Sequence, residues 1–242
     1  MPSRIITEPS KEPVSLLEVK EHLKVEVADD DGLIIGLIRA ARIYCETFQS
    51  KSYITRTVEL WLDKWPDDDE LELPGPPLLE TVVTGGSFSI GTRYRILSVG
   101  NTNFVAIGAA SNTVGVVFTA TGAGSGSGTA TASVIVDYYD ITNTLTTLPG
   151  SYYYVDTVSK PGRLGLTYGY QWPATQLRDI NGICVTFLAG YGLTVASIPQ
   201  NVKQAILMLV AHWYKNREAA GVKDDPEIPF SVSALLWQER CK

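Results

Sequence analysis

Residues 197–220 have the sequence SIPQNVKQAILMLVAHWYKNREAA and carry the clearest helical pattern of the chain. Ser197 and Gln200 have the spacing of a capping box, and Pro199 lies in the first turn, where a missing backbone N–H costs nothing. Gly221 follows as the expected C-cap. One apolar stripe, about 20 Å long at ~1.5 Å per residue, runs along the segment. The segment therefore predicts an amphipathic helix whose core-facing residues are Val202, Ala205, Ile206, Leu209 and Trp213.

The composition is that of an ordinary soluble globular protein. The 242 residues are 45% hydrophobic and 19% charged, enough for one large domain or two smaller ones. The net charge of −6 disfavours nucleic acid as the primary ligand, because proteins that grip a phosphate backbone usually carry a basic excess. The apolar run at residues 205–211 is too short for a membrane span, and the N-terminal residues lack the apolar core of a signal peptide. We therefore expect a protein that is made in a cytoplasm and does not enter a membrane.

The cysteines and histidines are few. Cys45, Cys184 and Cys241 are odd in number and widely spaced, and two of them lie in apolar patterns. This favours buried thiols in a reducing compartment over a disulfide framework. His22 and His212 are the only histidines, and neither has a second imidazole or a cysteine pair at ligand spacing. The sequence therefore disfavours a zinc site.

No motif of catalysis or cofactor binding is evident. A Ser-His-Asp nucleophile would have to use His22 or His212, and no G-x-S-x-G elbow is present. The glycine tract at residues 122–128 does not fit G-x-G-x-x-G and precedes a strand-like run. The acidic turn at residues 67–70 is compatible with a metal site and, more simply, with a solvated loop. We expect no enzymatic activity, no bound metal and no cofactor.

The N-terminal part predicts an extended arm and two helices. Residues 1–13 carry three prolines and no periodicity. Ser15 and Glu18 form a second capping box, which opens a short helix. A second helix follows the three aspartates at residues 29–31, whose charge suits a helix N-terminus. These two helices could form a DNA-binding helix-turn-helix, but the second exposes only two cations, Arg39 and Arg42, and its aspartates would repel phosphate.

The composition changes abruptly at residue 85. Residues 85–132 contain no acidic residue, only Arg93 and Arg95 as charges, and many Gly, Ser, Thr, Ala and Val. This predicts an inserted all-β module, too small to be stable without its host. We expect the insert to be peripheral, so that replacing it with a short loop leaves the host folded. Further strands are predicted at residues 53–62, 94–99, 114–121, 133–139, 152–156, 163–168 and 182–188, and in a short segment that ends at Thr84.

Several segments together carry a family resemblance. The long helix ends in His-Trp-Tyr-x-Asn-Arg-Glu, and the first helix has the pattern Leu-x-x-x-Lys-x-x-Leu followed by an acidic link. After the insert come a Tyr-rich strand, Gln-Trp-Pro, NGICVTFLAGYG and PEIPFSVSALL. In this combination the chain resembles the head–tail connector (adaptor or head-completion) proteins of long-tailed bacteriophages. The residues that carry the resemblance are Leu16, Lys20, Leu23, Asp29, Asp30, Asp31, Glu46, Gln171, Trp172, Pro173, His212, Trp213, Tyr214, Asn216, Arg217 and Glu218.

The predicted fold class is α+β. A helical connector domain, with two N-terminal helices and a long C-terminal helix, is combined with a β-sheet region and the inserted all-β module. The insert itself resembles a small module found in phage virion and tail-associated proteins. The expected division is an N-terminal arm at residues 1–13, a connector domain at 14–84 and 133–221, the insert at 85–132 and a C-terminal arm at 222–242.

The resemblance implies a structural virion protein of the particle neck. Such a protein forms an adaptor ring, commonly of twelve copies, that joins the portal vertex of the head to the stopper or tail and continues the DNA channel. The implied partners are further copies of the chain, the portal protein, and a stopper or tail-terminator protein. DNA would pass through the channel without specific binding.

The C-terminal arm is the expected portal contact. Its apolar residues follow the long helix in a segment too short to form its own core. We expect the arm to be loosely packed in the free protein, dispensable for folding, and ordered against the portal. The predicted portal-binding residues are Glu227, Ile228, Pro229, Phe230, Leu235, Leu236 and Trp237.

One alternative function is a carbohydrate-binding or adhesin-like β module on a helical support. The Gly/Ser/Thr-rich insert would suit that function, whereas the capping boxes and the long helix would lack an explanation. Glycan binding by the insert and a monomeric full-length chain would favour it. An enzyme would instead need an activity that is lost when His22 or His212 is changed.

Overall fold

A computed structural model describes residues 2–9, 11–132, 134–192, 194–216, 229–238 and 240–241. The chain forms two compact units, each built from separated segments. Residues Met1–Glu8 and Arg56–Ala189 form the sheet unit, and Pro9–Thr55 and Gly190–Lys242 form the helical unit. Helices and antiparallel sheets are both present, which confirms the predicted α+β class.

The helical unit contains the two predicted N-terminal helices and the long C-terminal one. The capping box at the first helix is confirmed: the Glu18 N–H donates to the Ser15 hydroxyl at 3.2 Å, and the Ser15 N–H donates to the Glu18 carboxylate at 2.7 Å. These bonds lower the pKa of Glu18 from its ordinary value, the backbone N–H of Ser15 contributing most. The helices are α1 (Leu16–Leu23), α2 (Asp31–Gln49), α3 (Gln200–Lys215) and α4 (Phe230–Trp237).

The predicted capping box at the long helix is wrong. Helix α3 begins at Gln200, with Pro199 at the N-cap and no side-chain cap. Ile198 and Pro199 have extended backbones, with ψ values of 133° and 140°, so the helix cannot reach back to Ser197. The Ser197 hydroxyl instead lies 3.1 Å from that of Thr194, in a short 3₁₀ turn. Arg217, Glu218 and Gly221 of the predicted helix end lie outside the described residues.

The apolar stripe of α3 packs into the core of the helical unit. Val202, Ile206 and Leu209 are completely buried, and Trp213 is half-buried against the same core. Ile34 and Ile38 of α2 lie in this core with them. An apolar stripe on each of two helices thus builds one core, as the periodicity predicts.

Tyr53 and Ile54 were expected to begin a strand, but they belong to the helical core. Both are fully buried there. The Tyr53 N–H donates to the Glu46 carboxylate at 2.9 Å, and its hydroxyl donates to Gln49 at 2.8 Å. These bonds hold the backbone beside α2, so the strand begins only at Arg56.

Three antiparallel sheets build the sheet unit. One has the order β1-β2-β13-β9-β10, with β4 pairing to β13; the others have the orders β11-β12-β3 and β5-β8-β6-β7. The strands are β1 (Ser3–Thr7), β2 (Arg56–Leu62), β3 (Glu70–Leu73), β4 (Leu78–Leu79), β5 (Val82–Thr84), β6 (Arg93–Ser98), β7 (Val117–Thr119), β8 (Thr129–Thr131), β9 (Ile135–Tyr139), β10 (Leu145–Thr147), β11 (Tyr153–Asp156), β12 (Gly162–Leu166) and β13 (Ile183–Ala189).

The N-terminal arm is a strand. Residues 3–7 form β1, which pairs with β2 at the edge of the first sheet, although every one of its side chains is exposed. Backbone hydrogen bonds and the Arg4–Glu59 ion pair at 3.1 Å hold it there. A strand that buries no side chain leaves no alternating pattern in the sequence, which is why β1 was not predicted.

The insert folds around its own aromatic core. Its sheet begins with β5, three residues before the predicted boundary at residue 85, and ends with β8, at the end of the Gly/Ser-rich tract GAGSGSGTAT of residues 122–131. Every aromatic side chain of residues 85–132 is buried in this core, so none of them forms the exposed ring platform that sugar binding would use. These residues are Phe88, Tyr94, Phe104 and Phe118.

The two charges of the insert attach it to the rest of the sheet unit. Arg93 makes a bidentate pair with the buried Asp137 of β9, with N···O distances of 2.6 and 3.0 Å. These hydrogen bonds raise the pKa of Arg93 despite its partial burial. Arg95 lies over the Tyr153 ring, 5.5 Å from its centroid, and 3.6 Å from Glu80. The insert is therefore bonded to its host through buried and half-buried charges.

Candidate interaction surface

Helix α4 is part of the helical core. Pro229 occupies its N-cap, where a backbone N–H is not needed. Val232 and Leu236 follow one turn apart, and both are completely buried. This differs from the loosely packed arm that the sequence predicted, since these two side chains complete the core that α2 and α3 begin.

The opposite face of α4 is apolar and open. Phe230 is 85% exposed and Trp237 is 59% exposed, and Ala234 lies between them at i, i+4, i+7 spacing. We call these three residues the outer face. No residue of α4 carries a charge. Ser231 is exposed beside these residues, but large exposed aromatic side chains commonly mark a contact with a partner, so the outer face is a candidate contact surface.

The buried amide of Gln49 fixes α4 to the end of α2. Its Nε2–H donates to the Leu236 carbonyl oxygen at 2.7 Å, and its Oε1 accepts the Tyr53 hydroxyl proton at 2.8 Å. The Cys241 N–H donates to the Gln49 carbonyl oxygen at 3.1 Å. Water does not reach this side chain, so losing a partner would leave a buried polar group unpaired.

An aromatic strip continues from the outer face. The rings of Trp237 and Phe48 are 5.9 Å apart, those of Phe48 and Tyr44 are 6.3 Å apart, and those of Tyr44 and Trp213 are 6.3 Å apart. The guanidinium carbon of Arg240 lies 4.7 Å from the Trp237 centroid and 5.2 Å from that of Phe48. Within the described residues no carboxylate pairs with Arg240. Among the described residues, the outer face is thus flanked by a cation that pairs with no carboxylate.

Arg42 is not the exposed cation that the sequence predicted. It is buried, and it donates to Glu12 at 2.8 Å and to Glu46 at 2.9 Å. Burial alone would lower the pKa of Arg42, but the hydrogen bond to Glu12 and the charge of Glu46 hold it above its ordinary value. Because Arg42 cannot reach a phosphate, Arg39 is the cation left on the exposed side of α2, which weakens the helix-turn-helix alternative further.

An open apolar groove lies along α1. Its volume is about 770 Å³, and residues 16–26 line it. Leu16, Leu17 and Val25 form its apolar wall, and Leu17 is 67% exposed. Glu21 and Glu26 are exposed at the groove, and no described cation pairs with them. We call this the α1 groove; α4 contributes no residue to its lining.

The predicted arm residues have different environments. Leu236 is buried and Leu235 is half-buried, while Phe230 and Trp237 are exposed. Pro229 is the N-cap, and Glu227 and Ile228 lie outside the described residues. The structure therefore brings only part of the predicted set to one surface.

The α1 groove, the Gln49 anchor and the Arg93–Asp137 pair were not predicted from the sequence. Leu16 and Leu17 are adjacent on a short helix and lie about 100° apart around its axis, so one of them is easily left at the exposed edge of the apolar stripe. That pattern could have pointed to the groove. Nothing in the sequence pairs Gln49 with Leu236 or Arg93 with Asp137, because these partners meet only in the folded chain.

The described residues contain no group of three or more His, Cys, Asp or Glu side chains that could hold a metal ion. At the predicted acidic turn, Asp67 pairs with Lys64 at 3.2 Å, and the Asp68 carbonyl oxygen accepts the indole N–H of Trp172 at 3.0 Å. In the part of the chain that the structure describes, no helix is long and apolar enough to cross a membrane.

The thiols are those of buried or half-buried free cysteines. Burial raises the pKa of Cys45 and of Cys184 to about 12, the nearby charge of Glu46 adding to the first and that of Glu59 to the second. Cys241 is half-buried, and none of the three forms a disulfide. The expectation of buried thiols is confirmed for Cys45 and Cys184.

A family model and solved structures match the chain. The model of the phage gp6-like head-tail connector protein family matches residues 179–236, which include β13, α3 and all of α4 except its last residue, Trp237. No curated protein matches the chain. The family match confirms the resemblance to head–tail connector proteins that the sequence predicts.

The solved structures come from the particles of a gene transfer agent (GTA). A chain in the neck of the empty GTA particle, computed with C6 symmetry, is 19% identical with a TM-score of 0.65. A chain in the virion of the native particle is 18% identical with a TM-score of 0.65, and one in the native neck, computed with C12 symmetry, is 19% identical with a TM-score of 0.63. Each match covers 100% of this chain and 96% of the other. At these identities the likeness shows a shared fold.

Proposed function

Because residues 179–236 match phage head-tail connector proteins, we propose that this chain is a structural protein of a virion neck. It assembles as a ring of twelve copies between the portal vertex of the head and the stopper or tail. The observation that carries the proposal is this match, and the matched segment includes α4 up to Leu236, with Phe230 and Ala234 of the outer face. A neck protein needs such a face, since it must bind neighbouring molecules in the particle.

The partners in this proposal are further copies of the chain, the portal protein, and a stopper or tail-terminator protein. The fold shared with chains of a neck computed with C12 symmetry supports the ring. Ring closure requires a head-to-tail contact between two different surfaces of the same chain, and the helical unit carries two candidate surfaces, the outer face and the α1 groove.

DNA passes through the ring without specific binding in this proposal. The net charge of −6 supports this, because an acidic protein repels the duplex and lets it slide. The predicted portal contact of the C-terminal segment stays a prediction, since Leu236 lies in the chain's own core and Glu227 and Ile228 lie outside the described residues.

Native mass spectrometry and electron microscopy of the full chain test the proposal. The chain is measured alone at high concentration and together with the portal protein of the same particle. We expect a discrete ring, either free or seated on the portal. A chain that stays monomeric in both samples and does not join portal particles would contradict the proposal.

A further inference from the structure

We propose that the outer face of α4 binds in the α1 groove of a second copy of this chain. The proposal rests on the ring assembly proposed above and names one of its contacts. One chain carries both a protruding apolar surface and an apolar groove, and α4 does not line the groove within its own copy. Two different surfaces of one chain that fit each other make a head-to-tail contact, which closes into a ring when the rotation permits.

The groove has the size and chemistry for aromatic side chains. Its volume of about 770 Å³ falls within the ~300–1,000 Å³ of pockets that bury most of a small ligand. Its wall is formed by Leu16, Leu17 and Val25. Phe230 and Trp237 lie about two helical turns apart on α4, roughly 10 Å at ~1.5 Å per residue, so both can enter an open groove that follows a helix.

The charges around the two surfaces are complementary. Arg240 lies beside Trp237 and has no carboxylate partner among the described residues. Among the charged residues that line the groove, Lys20 is paired with Asp31 at 2.6 Å, so the carboxylates of Glu21 and Glu26 outnumber the one remaining cation, Lys24. When the outer face enters the groove, Arg240 can therefore meet the carboxylate of Glu21 or Glu26, and the excess of negative charge in the lining favours the contact.

The contact is too small to hold two copies together alone. A buried Phe and a buried Trp contribute roughly 150–250 Å² each. A stable interface buries about 800 Å² per partner. The outer face must therefore act together with other contacts in the ring, where each copy is held from two sides. This agrees with a second copy as the occupant, because a ring repeats the contact at every subunit.

Cross-linking of two single-cysteine variants tests the contact in the full chain. Leu17→Cys and Trp237→Cys are each made with Cys241→Ser, which removes the half-buried native thiol. The two variants are mixed under ring-forming conditions and treated with a short bis-maleimide. We expect a covalent dimer that contains one copy of each variant. Ile90→Cys, at an equally open position in the insert, replaces Leu17→Cys in the control and should give no dimer.

Charge substitution gives the second measurement. Trp237→Glu and Leu17→Glu should each lower the fraction of chains in rings about tenfold or more at fixed concentration, while Ile90→Glu should leave it unchanged. Leu17 is 67% exposed, so thermal unfolding of Leu17→Glu should stay that of the parent chain, whereas Trp237→Glu also loses the ring contact with Phe48 and should unfold at a somewhat lower temperature. Reversal of both charges, Arg240→Glu with Glu21→Arg, should assemble better than either reversal alone.

The outcomes separate this inference from the proposed function. Rings that form without the mixed cross-link and tolerate Trp237→Glu would overturn the inference and leave the neck function standing. Loss of portal binding by Trp237→Glu in rings that otherwise form would assign the outer face to the portal protein instead. A chain that forms no ring, alone or with the portal protein, would overturn both.

Discussion

The insert and the C-terminal helix were both expected to be separable from the rest of the chain, and they are attached in opposite ways. The insert has its own aromatic core and reaches its host through charges, chiefly Arg93 to the buried Asp137. Helix α4 has no core of its own and gives Val232 and Leu236 to that of the helical unit. A segment's independence therefore depends on which buried groups would lose their partners, and composition does not report this.

Truncation before Pro229 should have the largest effect. It removes Val232 and Leu236, whose burial contributes roughly 3–6 kcal/mol together. It also leaves the buried amide of Gln49 without its partner Leu236. Since domain stabilities are about 5–15 kcal/mol, the helical unit should lose most of its stability. The loss of stability is measured as a lower urea concentration at which Cys45 becomes open to alkylation, because Cys45 is buried in the helical core.

The control for the truncation is Phe230→Ala in the full chain. This side chain is 85% exposed, so the change should alter the free energy of unfolding by less than ~0.5 kcal/mol. If the truncated chain kept Cys45 protected to the same urea concentration as the full chain, α4 would be the dispensable arm that the sequence predicts.

Arg93→Ala should have the next largest effect, this time on the sheet unit. It leaves the Asp137 carboxylate buried without its cation, which costs about 3–5 kcal/mol in a fully buried pair. Because the Arg93 side chain is 36% exposed, we expect about 2–3 kcal/mol. Alkylation of Cys184, which is buried in this unit, should begin at a lower urea concentration while that of Cys45 is unchanged.

Replacing residues 85–132 with a short loop also tests how much the insert stabilises the sheet unit. Loop closure alone would cost only about 0.6 kcal/mol per doubling of length. The deletion should cost clearly more, since it removes both Arg93 and Arg95, and Asp137→Asn should recover part of the loss. A deletion variant as stable as the parent would mean that the insert is peripheral, as the sequence predicts.

Ser15→Ala should destabilise the helical unit by about 1 kcal/mol, the usual cost of a lost N-cap. The Glu18 pKa is lowered in the folded chain from its ordinary value of 4.5. Its stabilisation is therefore present above pH 4.5 and is lost as the pH falls through the lowered value. The stability difference between the parent and Ser15→Ala should shrink below pH 4.5. A difference that is constant between pH 7 and pH 3 would contradict this.

Thiol reactivity in the native chain should show the smallest change. Burial raises the pKa of Cys45 and Cys184 to about 12, so iodoacetamide at pH 8 should leave both unmodified. Cys241, which is half-buried, should react. Mass spectrometry after a timed pulse reads each site. Fast modification of Cys45 in the native chain would mean that α4 opens while the rest of the chain stays folded. Helix α4 would then be less firmly attached to its unit than its buried side chains indicate.

Sequence patterns predict α1, α2 and α3 well because their signals are local, whereas α4 lies in the segment expected to be an arm. The Ser15–Glu18 capping box and the apolar stripe of α3 each lie within one segment and survive in the structure. The start of α3 was misplaced because Pro199 is compatible with either the N-cap or the first turn, and only the extended backbone at Ile198 decides between them.

Short strands such as β8 and the exposed surface of α4 are not predicted from the sequence, because both are determined by residues far along the chain. Strand β8 lies in a Gly/Ser-rich tract and pairs with β5 and β6, so its pattern is set by neighbours far along the chain. Val232 and Trp237 are both apolar residues of α4, yet one is fully buried and the other exposed. The packing of α4 against α2 and α3, together with the Gln49 hydrogen bond, determines which face of α4 turns inward.

The way the chain alternates between its two units also limits when each can fold. The sheet unit begins with β1, but its long strand β13, which pairs with β2, β9 and β4, ends only at Ala189. The helical unit has α1 and α2 within the first fifty residues, but its core is complete only after Leu236 has been synthesised. During synthesis neither core can close early, and such non-local closure makes folding slow. A nascent chain therefore presents no finished subunit surface until both units can complete, and in the proposed ring this would keep partly made copies out of the assembly.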